Sequence, residues 1–452
     1  MDAINNIFKA YDVRGKVGTE LTTDVANWIG VAFAQWLPTE GAVAVGRDMR
    51  PDSAELADAL IEGLVAQGRD VIDIGQVTSD MIYFAVGHDQ LAGGVMITAS
   101  HNPGVYNGIK FCREQAKPVG QESGLFEVRD AVAKMASGEK PAAAATHGQV
   151  TEKDITEDWL NHVMSFIDPK KLKPLKIAVD AGNGMAGKIF PELEPYVPWE
   201  VTEMYFELDG TFPNHEANPL KFETLADMID VIKKNKLDGG IAFDGDGDRA
   251  FLVDETGTVM PGNVMNAMLA EYFLGRFPGS HILYDLRASH AVPELITEKG
   301  GTAVRTRVGH SFIKQIMREK NAPFGGEVSG HFYFRDNFFA DSGLIAAVIG
   351  LYVAGLLGKP LSELRKIYAK YPTINETNFE VEDKPAMFEK LKQAYASQEQ
   401  DELDGLTVDF GNGSWFNVRA SNTEPVMRLN AEAATQNELD QLVAKVTKLI
   451  KE

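Results

Sequence analysis

The chain has 452 residues, of which 44% are hydrophobic and 24% are charged, with 42 glycines and 20 prolines. This composition is ordinary for a globular protein and excludes collagen-like and disordered chains, and at ~150 residues per domain it predicts roughly three units. The formal net charge of −21 repels polyphosphate backbones and anionic lipid surfaces. We therefore expect neither nucleic acid nor a membrane as a partner.

The cysteine content and the apolar runs suggest where the protein works. Cys112 is the single cysteine, so neither an intrachain disulfide nor a cysteine zinc site can form, which suits a reducing compartment. The first residues, MDAINNIFKAYDVRG, contain no apolar stretch of signal-peptide length. The longest apolar run, Leu344 to Gly358, falls short of the ~20 residues that span a bilayer and is predicted to be a buried helix. We expect a cytoplasmic protein.

Apolar residues alternate between helical and strand-like spacing along the chain. Helical spacing links Val25, Ile29, Phe33 and Trp36 and returns in Ala57, Leu60, Ile61 and Leu64. Further predicted helices lie near 125–135, 225–232 and 264–273, and the predicted strands are AVAVG, VMITAS, KIAVD, GIAF and ILYDL. This alternation predicts an α/β fold of parallel strands joined by helical crossovers, with ligands at the carboxyl ends of the strands.

Changes of composition predict four domains, at 1–140, 151–254, 255–370 and 371–452. Residues 137–151 are rich in Ala, Gly and Pro and are interpreted as a linker. A turn at DETGT marks the second boundary, and a change of texture near Tyr371 and Pro372 marks the third. In the last domain VDFGNGSWFNVRAS predicts two strands around a Gly-Asn-Gly turn, and Thr435 with Glu438 predicts a capping box. This domain is expected to be α+β.

The segment GNGMAGK after KIAVDA resembles two nucleotide-binding motifs without satisfying either. Gly182, Gly184 and Gly187 match G-x-G-x-x-G, which is common by chance in a glycine-rich chain. A P-loop needs Ser or Thr after Lys188, where this chain has Ile189. We interpret the segment as a structural turn between a strand and a helix.

The segment GGIAFDGDGDRAFLVDE predicts a site for a hard cation. Asp244, Asp246 and Asp248 alternate with glycines, and three such close carboxylates repel one another unless a cation such as Mg²⁺ neutralises them. An EF-hand loop is the alternative, but its sixth position requires Gly and is Arg249 here. A solvated acidic turn is disfavoured because apolar runs flank the loop.

The segment VMITASHNPGVYNGIKF contains a candidate nucleophile. Ser100 stands beside His101 in a tight turn, and the predicted return strand carries Lys110. An exposed serine of this kind can act as a nucleophile or phosphate carrier, whereas a lone turn serine more often caps its own backbone. His101 and Lys110 favour the chemical role. The G-x-S-x-G elbow of serine hydrolases is absent, so acyl transfer is not supported.

Two further segments carry convergent polar groups. GGEVSGHFYF contains Glu327, Ser329 and His331, and VRASNTEP has the residue types of a phosphate cradle. The cradle residues are Arg419, Ser421, Asn422 and Thr423. RVGHSF adds His310 and YDLRAS adds Arg287. Taken alone, the histidines fit structural roles equally well.

Five segments together resemble the α-D-phosphohexomutases of the bacterial phosphomannomutase/phosphoglucomutase type. They are FKAYDVRG, TASHNP, DGDGDR, GEVSGH and RASNTEP, in order over nearly the whole chain. The resemblance implies three similar α/β domains with mixed sheets and a smaller C-terminal α+β domain, arranged around a central cleft. We expect hexose phosphates as partners and a monomer or weak homodimer.

The resemblance also implies a phosphoserine mechanism. Ser100 carries the phosphoryl group and binds Mg²⁺ together with Asp244, Asp246 and Asp248, and hexose 1,6-bisphosphate is the intermediate and activator. Lys110 is the expected general acid/base. The other expected catalytic residues are His101, Arg249, His310 and His331.

The substrate-binding residues implied by the resemblance come from three of the matched segments, FKAYDVRG, GEVSGH and RASNTEP, and from the separate segments RVGHSF and YDLRAS. They are Tyr11, Arg14, Arg287, Gly309, His310, Glu327, Val328, Ser329, Gly330, His331, Arg419, Ser421, Asn422 and Thr423. Asn422 replaces the Gly usual in phosphoglucosamine mutases, and Arg287 matches a subgroup of phosphomannomutases where many dual-specificity members have Lys. Val328 replaces a common Met, an apolar change of little expected effect.

We therefore expect a phosphomannomutase that also accepts glucose phosphates. A sugar-phosphate-binding module without turnover and a magnesium-dependent sugar phosphatase remain the alternatives. The serine, the lysine and the triple aspartate argue against a mere binding module, because binding needs no nucleophile.

Overall fold

The computed structural model describes residues 2–142, 144–420 and 426–452. Residue contacts divide the chain into two compact units. The first unit comprises Met1–Met260 and Ser329–Ser362, and the second comprises Pro261–Val328 and Glu363–Glu452.

The α-helices of the described residues alternate with strands over most of the chain, as the spacing of apolar residues predicts. In chain order they are α1 Asp2–Ile7, α2 Thr23–Trp36, α3 Ser53–Ala66, α4 Ser79–His88, α5 Leu125–Ala136, α6 Thr156–Met164, α7 Ala186–Leu193, α8 Ala226–Asn235, α9 Gly262–Arg276, α10 Ala291–Glu298, α11 His310–Lys320, α12 Gly343–Leu357, α13 Leu361–Tyr368, α14 Lys384–Ala394 and α15 Gln436–Lys451.

The strands are mostly short and buried. In chain order they are β1 Val13–Lys16, β2 Val43–Arg47, β3 Val71–Gln76, β4 Gly93–Ile97, β5 Tyr106–Arg113, β6 Lys117–Pro118, β7 Val150–Glu152, β8 Leu175–Asp180, β9 Trp199–Met204, β10 Gly239–Phe243, β11 Ala250–Asp254, β12 His281–Asp285, β13 Thr302–Thr306, β14 Phe324–Gly326, β15 Phe332–Phe334, β16 Ala340–Asp341, β17 Thr377–Glu380, β18 Glu399–Asp401, β19 Leu406–Asp409, β20 Trp415–Ala420 and β21 Val426–Glu432.

The first unit contains two mixed sheets and a small hairpin. The larger sheet has the order β1-β5-β4-β2-β3-β7, with β6 paired to β5, and the second has the order β11-β10-β8-β9. Strands β15 and β16 form an antiparallel pair. Helices α2 and α3 pack closely because Gly30 and Gly63 lack side chains: a Cβ on Gly30 would lie 2.1 Å from the carbonyl oxygen of Leu60.

Mixed sheets confirm the fold class implied by the resemblance and correct the all-parallel expectation drawn from the alternation. Strand β5 runs antiparallel to β4, and β11 runs antiparallel to β10. No helix lies between the strands of either pair. A parallel return needs a long crossover, so these short loops impose antiparallel pairing.

The segment interpreted as a linker is partly structured. Its last residues enter β7, which pairs in parallel with β3. All three residues of β7 are exposed, so the segment lacks the apolar pattern that predicts a strand.

In the second unit, β12 pairs in parallel with both β13 and β14. The C-terminal sheet has the order β17-β21-β20-β19-β18 and is antiparallel throughout. The predicted pair of strands around Gly-Asn-Gly is confirmed as β19 and β20. The predicted capping box of Thr435 and Glu438 at the start of α15 is also confirmed.

Helix α12 confirms the predicted buried helix at the longest apolar run, because most of its residues are buried. Its N-cap is Ser342, whose hydroxyl accepts a hydrogen bond from the backbone N–H of Ile345. Among the described residues, no single helix has both the length and the apolarity needed to cross a bilayer. Helices α12 and α13 reach the required length and apolarity only when they are taken together, and the chain bends by 97° between them.

Candidate active site

Ser100 lies in the loop between β4 and β5 in a strained backbone conformation. Its φ is 51°, in the left-handed region that serine seldom adopts, and only 3% of the residue is exposed. The expectation of an exposed serine is therefore wrong, because the loop lies against the aspartate turn and Ser100 contacts Asp244. Such strain persists only where the surroundings impose it. One constraint is local, since the backbone N–H of Ser100 donates to Oγ1 of Thr98 at 2.9 Å.

Arg50 is the main support of this loop. Its guanidinium donates to the carbonyl oxygens of Ser100 at 2.9 Å and Asn102 at 2.6 Å, and also to those of Pro103 and Tyr106. Asp48 holds the same guanidinium through Nε at 3.2 Å. The sequence analysis missed Arg50, for which the one signal is a charged run, GRDMRPDS, that begins at the end of the buried strand β2.

The hydroxyl of Ser100 faces the aspartate loop. Its Oγ donates to Oδ2 of Asp244 at 2.9 Å and lies 3.1 Å from Nδ1 of His101. Arg249 donates through Nε to the same Asp244 oxygen and through Nη2 to Nδ1 of His101 at 2.5 Å. Burial and the neighbouring Arg249 hold the pKa of His101 well below its ordinary value. The imidazole is therefore neutral, and Nδ1 accepts the hydrogen bond.

The three aspartates lie in the buried turn between β10 and β11. One carboxylate oxygen from each of Asp244, Asp246 and Asp248 lies within 4.8 Å of the others. Burial raises the pKa of Asp244 to about 7. For Asp246 burial also opposes ionisation, but Lys110, Ser79 and Arg249 together outweigh it and lower the pKa. Oδ1 of Asp246 and Oδ1 of Asp248 are buried without a hydrogen-bond partner.

These features fit a divalent cation. A buried carboxylate oxygen without a donor costs free energy unless an ion or a donor compensates it. Two such oxygens in one turn, with a third carboxylate alongside, offer the oxygen ligands that Mg²⁺ prefers. The residues present therefore fit the metal site that the sequence predicts.

Lys110 extends from β5 into the same turn. Its Nζ lies 2.6 Å from Oδ2 of Asp246 and 2.6 Å from Oδ2 of Asp248. Burial opposes the charge, but the two carboxylates raise the pKa of Lys110 well above its ordinary value. In this arrangement the side chain is an ammonium ion, the form in which it can give up a proton.

His331 and Arg14 complete the group around Ser100 in the first unit. Nδ1 of His331 is 2.8 Å from Oδ2 of Asp341 and 3.9 Å from Oδ1 of Asp248. Both carboxylates raise the pKa of His331 against the effect of burial. Arg14 donates to the carbonyl oxygen of Ala99 at 3.2 Å, within the serine loop.

Three more predicted residues of the first unit lie on two connecting segments. Tyr11 is half-buried just before β1, and Ser329 and Gly330 lie just before β15. Gly330 has a φ of 89°, which explains why glycine is suited to that position.

The second unit contains a separate cluster around Arg287. The guanidinium donates to both carboxylate oxygens of Asp285, at 3.1 and 2.9 Å, and lies 3.8 Å from Oε1 of Glu327. Glu327 Oε1 accepts from the backbone N–H of Gly309 at 3.1 Å, and the N–H of Val328 donates to Asp285. His310, at the start of α11, follows Gly309 directly.

Glu376 joins this cluster to Arg419, and the sequence analysis missed it. Its carboxylate lies 3.1 Å from Nη2 of Arg419, 3.1 Å from Nη1 of Arg428 and 3.7 Å from Nη1 of Arg287. Burial opposes ionisation, yet Arg287 and Arg419 lower the pKa of Glu376 to about 2. The sequence gives little signal, because Glu376 is one isolated acid before β17. The predicted cradle residues Ser421, Asn422 and Thr423 lie outside the described residues.

Comparison with protein families identifies the domains of the chain. Four family models match in order, all described as phosphoglucomutase/phosphomannomutase. Alpha/beta/alpha domains I, II and III match residues 5–138, 157–257 and 261–371, and the C-terminal domain matches 376–449. Fold and site thus define a hexose-phosphate mutase.

Curated relatives give the same result. The chain is 43% identical over 429 residues to a protein of Xanthomonas campestris named "Phosphohexose mutases", covering 94% of each chain. It is 39% identical over 459 residues to a phosphomannomutase of Vibrio cholerae, covering 98% of each. The chain therefore belongs to the phosphoglucomutase/phosphomannomutase family, and its activity is that of a phosphohexomutase, a phosphomutase of the isomerase class.

Solved structures support the fold. A phosphoglucomutase/phosphomannomutase family protein from Burkholderia thailandensis is 31% identical with a TM-score of 0.89, over 99% of this chain and 97% of that one. An N-acetylphosphoglucosamine mutase of Aspergillus fumigatus, in complex with GlcNAc-6P and magnesium, has the same fold at 16% identity and a TM-score of 0.62. It covers 99% of this chain and 98% of that one.

Proposed function

We propose that the protein interconverts mannose 1-phosphate and mannose 6-phosphate and also accepts glucose phosphates. Ser100 carries the phosphoryl group, and hexose 1,6-bisphosphate is the intermediate. The observation that carries the proposal is the contact of 2.9 Å between Ser100 Oγ and Asp244 in a buried, strained loop. A serine that only capped a turn would need neither the strain nor the acidic partner.

Magnesium is the proposed cofactor, held by Asp244, Asp246, Asp248 and the phosphate carried on Ser100. When bound, the ion offsets negative charge on the transferred phosphoryl group. The two unpartnered oxygens of Asp246 and Asp248 support this assignment. The related Aspergillus mutase supports it as well, since its solved complex contains magnesium beside the sugar phosphate GlcNAc-6P.

In the transfer, the bond between Ser100 Oγ and phosphorus breaks while a bond forms from phosphorus to a hydroxyl oxygen of the hexose phosphate. Lys110, as an ammonium beside the aspartates, gives its proton to the departing serine oxygen. The Lys110 amine that this leaves takes the proton of the hexose hydroxyl, so one side chain serves as general acid and general base and the protons balance. His331, whose pKa the neighbouring carboxylates raise, adds positive charge beside Asp248. Arg249 and Arg14 contribute positive charge near Ser100, and His101 positions Arg249.

The reverse transfer needs the intermediate to present its other phosphate to Ser100. We assign binding of the second phosphate to Arg287 and Arg419, with Ser421, Asn422 and Thr423. Glu327 offers a carboxylate that can accept hydrogen bonds from sugar hydroxyls, and its contact with the N–H of Gly309 orients it.

The preference for mannose is supported by Arg287 and by the names of the relatives. Two phosphomannomutases of Escherichia coli are 38% identical over 94% to 96% of this chain. The name of the Xanthomonas relative covers hexoses in general, which suits a second activity towards glucose phosphates.

A phosphorus-NMR time course with magnesium, a trace of hexose 1,6-bisphosphate and either mannose 1-phosphate or glucose 1-phosphate tests the proposal. We expect conversion to the corresponding 6-phosphates with little inorganic phosphate, and faster conversion of the mannose ester. Release of inorganic phosphate alone would favour the phosphatase, and unchanged spectra with measurable ligand binding would favour the binding module.

A further inference from the structure

We propose that Ser79 is a positioning residue for the metal site, because it fixes which oxygen of Asp246 is presented to the cation. The inference rests on the proposed function in one respect, namely that Asp246 is a metal ligand. Ser79 belongs to none of the motifs that identify the family, and it is the first residue of α4.

Ser79 holds both the backbone and the side chain of Asp246. Its N–H donates to the carbonyl oxygen of Asp246 at 3.0 Å. Its hydroxyl donates to Oδ2 of Asp246 at 2.6 Å. Ser79 is only 1% exposed, and Asp246 is fully buried. Two hydrogen bonds from one residue therefore fix both the position and the rotation of the Asp246 carboxylate.

Helix α4 supplies a donor that is free for this purpose. The first N–H groups of a helix have no acceptor within the helix, and the N-terminus carries partial positive charge. The N-cap residue, Thr78, makes no side-chain cap bond to the backbone. Its hydroxyl instead donates to Asp80. The N–H of Ser79 is therefore satisfied by the loop that contains Asp246.

The two oxygens of Asp246 are thereby made unequal. Oδ2 receives the hydrogen bond of Ser79, a 2.6 Å contact from Lys110 and a longer one from Thr98. Oδ1 is buried and has no hydrogen-bond partner. An oxygen in that condition is the one that a cation can take without displacing a donor.

Asp80 keeps Ser79 in place. It is fully buried, and it accepts hydrogen bonds from the hydroxyls of Thr78 and Ser342, the latter at 2.5 Å. Ser342 is in turn the N-cap of α12. The start of α4 is thus tied to the start of α12 within the first unit, and Ser79 cannot shift without breaking these bonds.

Direct measurement of metal binding tests the inference independently of catalysis. We would titrate Mn²⁺ into the complete protein, follow free Mn²⁺ by electron paramagnetic resonance, and confirm that Mg²⁺ competes. The key comparison is Ser79→Thr with Ser79→Val, because the two side chains have the same shape and only threonine has the hydroxyl. We expect about tenfold weaker Mn²⁺ binding in Ser79→Val and binding close to wild type in Ser79→Thr.

Ser362→Ala is the matched control. The N–H and hydroxyl of Ser362 both donate to the carboxylate of Glu255, so this serine makes a similar pair of contacts to an acid outside the aspartate loop. We expect it to leave Mn²⁺ affinity unchanged. Circular dichroism of each variant checks that the fold is intact.

A kinetic readout separates positioning from catalysis. In Ser79→Val we expect the Mg²⁺ concentration for half-maximal rate to rise about tenfold, while kcat at saturating Mg²⁺ approaches the wild-type value. Equal Mn²⁺ affinity in folded Ser79→Val and Ser79→Thr would overturn the inference. Failure of the wild-type protein to bind Mn²⁺ would instead overturn the metal assignment of the proposed function.

Discussion

At the scale of single residues, the conformation of the serine loop depends on a buried arginine, Arg50, that lies outside the recognised motifs. Arg50 donates to four carbonyl oxygens around Ser100 and is itself held by Asp48. A planar guanidinium can satisfy several acceptors at once, which the single ammonium of lysine cannot do from one position. Arg50 therefore determines the conformation of Ser100 without being a candidate for the chemistry.

We predict that Arg50→Lys lowers kcat/KM at least tenfold and reduces the free energy of unfolding by about 2 to 3 kcal/mol, since buried carbonyl oxygens lose their donors. Enzyme assays and urea unfolding measure the two effects. Arg129→Lys is a suitable control, because Arg129 pairs with the neighbouring Asp130 on the surface and should tolerate the change. Wild-type activity in Arg50→Lys would contradict this role.

Asp246 is the residue on which metal dependence should be most visible. We predict that Asp246→Ala weakens Mg²⁺ activation and lowers the rate together, because the variant loses a ligand oxygen and leaves Lys110 with one carboxylate partner instead of two. A titration of rate against Mg²⁺ concentration measures both. An unchanged titration curve would count against the metal assignment.

The residues of the site differ in how far the sequence reveals them. Ser100, Lys110 and the aspartates lie in local patterns whose chemistry is recognisable by itself. Arg50, Ser79 and Glu376 do not, because each acts through a partner far away in the chain. Ser79, for example, contacts Asp246 across 167 positions, and no local pattern encodes that distance.

At the scale of elements, the start of α12 packs directly against the aspartate turn between β10 and β11. A Cβ on Gly343 would lie 2.7 Å from the carbonyl oxygen of Gly247 and 2.8 Å from the carbonyl carbon of Arg249. Both contacts are to backbone, which cannot swing aside as a side chain can. The absence of a side chain at Gly343 therefore lets the helix and the turn approach each other.

We predict that Gly343→Ala destabilises the protein by about 1 to 3 kcal/mol and raises the Mg²⁺ requirement, because the added methyl displaces the turn. Gly275→Ala is the matched control, since Gly275 lies in α9 with no atom within 4 Å of an added Cβ. It should stabilise the protein by about 0.5 to 1 kcal/mol. Thermal unfolding measures the stability of both variants. Equal changes in stability for Gly343→Ala and Gly275→Ala would contradict the packing argument.

The sequence predicts helices and strands correctly where a buried apolar face gives a regular spacing. It does not predict features that depend on which strands pair and in which direction. Helices α2, α3 and α12 and strands β2 and β8 follow from spacing and composition alone. The direction of β5 and β11 depends on short loops, and the exposed β7 is held only by its partner β3. The strand that carries Lys110 is recognisable in the sequence although its direction is not, whereas β7 has no apolar pattern at all.

At the scale of the whole molecule, two acids, the buried Asp80 in the first unit and the half-buried Glu376 in the second, respond to pH in opposite ways. In the first unit, burial raises the pKa of Asp80 to about 7. In the second, arginines lower that of Glu376 from 4.5 to about 2. Ionised Asp80 disfavours the folded state as pH rises, whereas ionised Glu376 favours it.

Glu376 gives the clearer test of how stability depends on pH. Its contribution to the free energy of unfolding is fully present above pH 4.5 and is lost as the pH falls towards about 2. The shift corresponds to about 3 kcal/mol at most. We predict that Glu376→Gln is destabilised at neutral pH and that its difference from wild type shrinks as the pH falls through that range.

Urea unfolding at several pH values measures this difference. Glu389→Gln is the control, because Glu389 pairs with Lys392 at 3.5 Å on the surface and such exposed pairs contribute little. A stability difference for Glu376→Gln that stays constant down to acidic pH would contradict the prediction.

The division into units also shows what the chain order hides. Residues Ser329–Ser362 belong to the first unit by their contacts, although they follow a long part of the second. Composition indicates a domain boundary only where the local amino-acid content or the spacing of apolar residues changes along the chain. A segment that returns to an earlier unit need not change either, so the position of His331 beside Asp248 was not predictable from composition.

The central claim is that Ser100 carries the phosphoryl group. The most direct measurement incubates the protein with radiolabelled hexose 1,6-bisphosphate and Mg²⁺, maps the label by peptide mass spectrometry, and then adds mannose 1-phosphate. We predict label on Ser100 that passes to the sugar, and a folded Ser100→Ala variant with neither label nor mutase activity. Mutase activity retained by Ser100→Ala would contradict the account.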